Sequence, residues 1–144
     1  MEKSSPYVTL TAEQFYIDKT AILERGMEEC PSIYIEGAAA SGKTTAVRLL
    51  LGKNPDIEAY ILEMKEEEES IKKLDEMVKS REEWTKPGWI IFEDMHSALD
   101  EVTIKKISDC IWNLPSGWHA ILIGRERPHE GFLNLIWKRK MQII

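Results

Sequence analysis

Apolar runs alternating with helical patterns from Ser32 to the last residue predict an α/β chain, a three-layer domain whose mainly parallel five-stranded sheet is flanked by helices. Three observations carry this expectation. Trp89-Ile90-Ile91-Phe92 and Ala120-Ile121-Leu122-Ile123 are continuously apolar, as strands buried on both faces require. The segments between such runs place apolar residues three to four apart. Finally, 144 residues with 43% apolar and 31% charged side chains suit one domain covering the whole of 1–144.

In chain order, the stretch from Thr9 to Tyr16 is ambiguous, and Asp18 or Thr20 is read as the cap of a helix running to about Glu29 with Ile22 and Leu23 inward. Pro31 opens the strand Ser32-Ile33-Tyr34-Ile35-Glu36, which gives way to a Gly-bounded loop. Thr44 to Leu51 reads as a helix with Val47, Leu50 and Leu51 on one face, stopped at Gly52 with Pro55 close behind. Ala59-Tyr60-Ile61-Leu62 is the second strand. Lys65 to Glu83 is a helix on which Ile71, Leu74 and Val78 recur. Pro87-Gly88 punctuates the chain before the strand at Trp89. A helix from about Asp100 to Asn113 points Val102, Ile104, Ile107 and Ile111 inward, and Pro115-Ser116-Gly117 turns the chain. The strand Trp118 to Gly124, a polar loop from Arg125 to Gly131, a short helix from Phe132 to Trp137 and the apolar ending Met141 to Ile144 complete the reading.

Composition excludes several classes. Nineteen Lys and Arg against twenty-five Asp and Glu leave a net charge of -6, which argues against direct nucleic-acid contact by this chain. Cys30 and Cys110 stand alone, which suits a reducing cytoplasm. No apolar run approaches the roughly 20 residues that cross a bilayer, so no membrane partner is expected. His96, His119 and His129 show no ligand spacing, and the tryptophans, Trp89 and Trp112 among them, read as packing residues.

One motif carries chemistry. Gly37, Ala38, Ala39, Ala40, Ser41, Gly42, Lys43 and Thr44 match G-x-x-x-x-G-K-[ST] completely, between an expected strand and an expected helix. Two fixed glycines with the Lys and Thr arise by accident in well under about 1% of chains this size. Such a loop aims successive N–H groups at phosphates, so Gly37 and Gly42 stand where a side chain would obstruct it. Lys43 reaches the terminal phosphates, Thr44 offers its hydroxyl to Mg2+, and Thr45 holds the next phosphate inward. The expected ligands are therefore ATP or ADP with Mg2+.

In a parallel sheet ligands sit at the carboxyl ends of the strands, and three of those ends carry charge. Glu93 and Asp94 follow Ile90-Ile91-Phe92. If Glu93 ends the strand it is the Mg2+-side carboxylate and Asp94 orients or activates water, although the order can be swapped. Arg125, after Gly124, is placed to contact the terminal phosphate and tell triphosphate from diphosphate. The run Glu66 to Glu69 reads as a solvated helix start, and Trp137-Lys138-Arg139-Lys140 as a solvated turn.

These residues resemble the signal-transducing ATPases of the STAND class, and within them the MalT-like bacterial regulators of the LuxR type. The likeness lies in Phe15-Tyr16-Ile17-Asp18-Lys19-Thr20, in the phosphate loop, in Ile90-Ile91-Phe92-Glu93-Asp94-Met95-His96 and in Leu122-Ile123-Gly124-Arg125-Glu126-Arg127-Pro128. It implies a P-loop NTPase fold, a phosphate-sensing role for Arg125, and Tyr16 and Ile17 at the adenine. Glu93 departs from the family's usual pair of aspartates. The resemblance also implies a slowly hydrolysing switch domain, and the apolar end at Ile144 looks like a domain cut from a longer regulator. Its partners would be the remaining domains, an inducer, and other copies through nucleotide-dependent self-association. The rival functions are a P-loop small-molecule or nucleotide kinase, which the single Arg81 between Gly52 and Trp89 disfavours, and a non-hydrolysing ADP- or ATP-binding module.

Overall fold

The computed structural model describes residues 12–37, 43–80, 84, 86–96 and 98–144, excluding the side chains of 12–19, 43 and 44. Among the described residues, five α-helices and five strands follow one another as α1 (Ala12–Glu29), β1 (Ser32–Glu36), α2 (Lys43–Lys53), β2 (Glu58–Glu63), α3 (Glu67–Lys79), β3 (Gly88–Met95), α4 (Glu101–Trp112), β4 (Trp118–Gly124), α5 (Leu133–Trp137) and β5 (Met141–Ile143). The strands form one sheet in the order β2-β3-β4-β1-β5, and every pairing is parallel. The expected three-layer α/β architecture is the one observed.

Alternation along the strands feeds two cores. On β3, Ile90 and Phe92 face α3, α4 and α5, where Leu74, Ile107, Ile111 and Leu135 are buried. Trp89 and Ile91 face α1 and α2, where Leu23, Met27, Val47 and Leu50 are buried. On β4, Ala120 and Leu122 divide from Ile121 and Ile123 in the same way. A strand with helices on both sides has no solvent face, hence its continuous apolar character. β2 is an edge strand, and Tyr60 and Ile61 are exposed there.

Several expectations need correction. Asp18 and Thr20 are not caps, because α1 begins by Ala12, and Glu13 and Gln14 favour helix as much as the residues after Asp18. Thr20 is instead fully buried and accepts a bond from Lys53 Nζ at 3.4 Å, which joins α1 to the end of α2. Ile22 is exposed while its neighbour Leu23 is buried. Gly52 does not stop α2, which runs one residue further; Asn54 Nδ2 then donates to Leu50 O at 2.8 Å and Pro55 follows. α3 ends at Lys79 rather than at Glu83. Val102 is 61% exposed, and Thr103 takes the inward place beside Ile104. The acidic run does open α3, but Glu67 is more than solvated. Its carboxylate accepts from Asp100 N at 3.0 Å and from the Thr103 hydroxyl, fastening α3 to the start of α4.

Candidate functional site

Because the sheet is parallel, the carboxyl ends of β1, β3 and β4 share one edge, and β4 lies between the other two. Glu36 at the end of β1 is paired in register with Gly124 at the end of β4. Gly37, the first residue of the phosphate-loop motif, has φ 146, a backbone that favours glycine, and its N–H donates to Gly124 O at 3.1 Å. The positions Ala38, Ala39, Ala40, Ser41 and Gly42 lie outside the described residues. Lys43 and Thr44 open α2, where a helix gathers its unpaired N–H groups, and Thr45 follows them as an exposed residue. The Lys43 and Thr44 side chains lie outside the described residues, as do those of Tyr16 and Ile17, whose backbone is inside α1 rather than ahead of it.

β3 does not end at Glu93 but runs on to Met95. Its register with β4 shifts after Phe92: Phe92 pairs with Leu122, whereas Met95 pairs with Gly124. Three steps on β3 thus span two on β4, which is a bulge. Asp94 occupies the bulge with φ 59, a left-handed backbone that Asp tolerates better than most residues. The bulge re-aims the acid pair at the sheet edge.

Glu93, Asp94 and Arg125 line a single cleft of about 410 Å3, together with Arg48, Lys65 and His96. Glu93, with only 12% of its side chain exposed, lies 3.6 Å from the Arg48 guanidinium; Asp94 lies 3.8 Å from Lys65 Nζ. Burial pushes the Glu93 carboxyl above the usual carboxylate range, and Glu63 and Asp94 add to the effect while Arg48 opposes it. Sequence reasoning missed Arg48 and Lys65. The signal for Arg48 was its spacing, since it stands one helical turn after Thr44 on the helix that the motif opens.

Behind the cleft, the Tyr34 hydroxyl donates to Glu126 O at 3.0 Å. His119 Nδ1 lies 3.2 Å from Pro31 O and burial lowers its pKa, while His129 accepts from Gly131 N at 2.9 Å. Cys30 and Cys110 are buried thiols. Among the described residues, no cluster of three or more His, Cys, Asp or Glu could hold a metal ion by itself. No helix among them is long and apolar enough to cross a membrane. Trp137 is 77% exposed, and Lys140 Nζ sits over the Trp112 ring at 5.6 Å, so the basic turn is partly packed.

No protein-family model and no curated protein matches the chain. Among solved structures, Rhizobiales Trip13 matches with a TM-score of 0.53 at 18% identity, over 86% of this chain and 48% of that one. The likeness is one of fold, a parallel five-stranded sheet flanked by helices in three layers. The chain spans about half the length of that solved relative.

The residues present fit a nucleotide with Mg2+. Carboxylate oxygens suit a hard cation, and Arg48, Lys65 and Arg125 in the same cleft suit polyphosphate. The positive φ of Gly37 suits a backbone that bends toward a ligand.

Proposed function

We propose that the chain is a Mg-ATP-binding, slowly hydrolysing switch domain, in which the terminal phosphate biases a larger regulator between two states. One observation carries this reading: Glu93, Asp94 and Arg125 share a cleft at the sheet edge where the phosphate-loop strand also ends. The likeness to Trip13, an AAA+ ATPase, supports it at the level of fold.

In this reading Lys43 and the loop N–H groups hold the phosphates. Thr44 and Glu93 hold the metal side. Asp94, more open to solvent, accepts the proton of the attacking water, and Arg125 reads the terminal phosphate. Mg2+, when bound, neutralises charge on the phosphate oxygens. Glu93 takes the metal side because it faces α2, the helix that carries Thr44. The finer setting, a STAND-class MalT-like transcriptional regulator in the cytoplasm with further domains and an inducer, is supported by the four sequence segments quoted above. Adenine rather than guanine is favoured by the same likeness and by the lack of an N-K-x-D motif.

A nucleotide-dependent rise in thermal stability tests the site. At a hundredfold excess over Kd the intact site gains about 2.7 kcal/mol, and Lys43→Ala abolishes that gain. Equal stabilisation of the variant overturns the phosphate site. Asp94→Asn keeps binding but stops phosphate release.

The ion pairs of Glu93 with Arg48 and of Asp94 with Lys65 favour a second reading, a non-hydrolysing nucleotide module, since both acids already have a cation. Phosphate release unaffected by Asp94→Asn selects it.

A further inference from the structure

We infer that Tyr34 is a positioning residue that fixes Arg125 to the strand feeding the phosphate loop, so that the arginine meets the terminal phosphate from a set place. This rests on the nucleotide reading above. Arg125 is exposed, as are Glu126 and Arg127, so packing around these side chains does not place them. Their backbone does.

Two hydrogen bonds bracket the arginine. On one side Gly37 N donates to Gly124 O at 3.1 Å; on the other the Tyr34 hydroxyl donates to Glu126 O at 3.0 Å. Both donors belong to β1 or to the residue that follows it. The arginine loop is thus tied at two points to the segment that becomes the phosphate loop.

The second tie needs the glycine between them. A Cβ on Gly124 would collide with the Tyr34 hydroxyl, and would lie 2.9 Å from the ring carbon that bears it and 3.1 Å from Met95 O. The hydroxyl crosses the space that any other residue at 124 would fill. Tyr34 itself is 2% exposed, and a phenylalanine would occupy the same core volume. Only the hydroxyl reaches the loop, and it stays a donor because burial and the charges of Glu36 and Glu126 push its pKa up to about 12. A tyrosine here does something that core packing alone does not require.

Equilibrium binding of Mg-ATP and Mg-ADP to wild type, Tyr34→Phe, Arg125→Ala and the double variant tests the inference. Wild type prefers Mg-ATP, and Arg125→Ala removes the preference. Tyr34→Phe is expected to weaken Mg-ATP about five- to tenfold, the worth of one hydrogen bond, and to leave Mg-ADP within about twofold. The double variant should bind Mg-ATP no more weakly than Arg125→Ala alone. Equal loss for both nucleotides, no loss, or an additive double variant overturns the inference while leaving the nucleotide reading intact. Wild type that binds neither nucleotide sinks both. Should Tyr34→Phe fail to fold, Gly124→Ala displaces the same hydroxyl and must show the same Mg-ADP-sparing loss; an unchanged preference there overturns the inference.

Discussion

Glu93 and Asp94 are sequence neighbours, yet their surroundings differ. Glu93 keeps the alternation of β3, faces α2 and is mostly buried; Asp94 lies in the bulge with a left-handed backbone. The raised pKa of Glu93 has burial as its first cause. A carboxyl whose folded value exceeds its unfolded one favours the fold while protonated, and that contribution is lost as pH rises through the raised value. Glu93→Gln is therefore expected to be more stable than wild type at neutral pH and to lose that advantage below the ordinary value of 4.5. The gain should stay under about 1 kcal/mol, because the substitution also removes the pair with Arg48. Thermal unfolding at the two pH values checks it, and an advantage independent of pH would refute the assignment.

At the scale of elements, the boundaries that were legible are those with local punctuation. β1 and β4 coincide with the sequence reading because Pro31 and Pro115-Ser116-Gly117 precede them, Gly37 follows β1 and Gly124 closes β4. The start of α1 was not legible, since no Gly or Pro interrupts the helix formers around Asp18. Val102 and Ile22 were misplaced because periodicity fixes the spacing of an apolar face better than its phase. In α4 the polar Thr103 turns inward to bond Glu67, and Val102 is left outside. The β3 bulge left no signal either, because two acids after an apolar run look the same whether the strand ends or kinks. Arg48 reads as an ordinary solvated position on an amphipathic helix until the acid opposite it is seen. Gly88 supplies a test at this scale: a Cβ there would come within 2.6–2.7 Å of Trp118 ring carbons, and Trp84 stacks on that ring at 4.2 Å. Gly88→Ala should cost about 1–3 kcal/mol in urea unfolding, as overpacking does, and an unchanged midpoint would show that Trp118 can yield.

Over the whole molecule, the sheet divides the interior into two cores that share only backbone. Ile33 lies in the core under α1 and α2, and Ile107 in the core under α3, α4 and α5. Ile33→Val and Ile107→Val should each cost about 0.5–1.5 kcal/mol. Their sum should hold to within about 0.5 kcal/mol in the double variant, because the two sites share no partners. A larger coupling energy from denaturant titrations would mean that the sheet transmits strain from one face to the other. The site at the sheet edge draws on both cores. Glu93 is reached from the α2 side, and Tyr34, buried on the other side, ties down the arginine loop.

The aromatic stack at the far edge has an optical consequence. Trp118 stacks with Trp84, ring centroids 4.2 Å apart, and with Tyr60, 5.9 Å apart. Trp137, by contrast, is 77% exposed. The coupled pair should dominate the near-ultraviolet circular dichroism, whereas Trp137 should account for much of the fluorescence that iodide quenches. One solution of the unlabelled protein can thus report loosening of the β2 edge separately from events around α5.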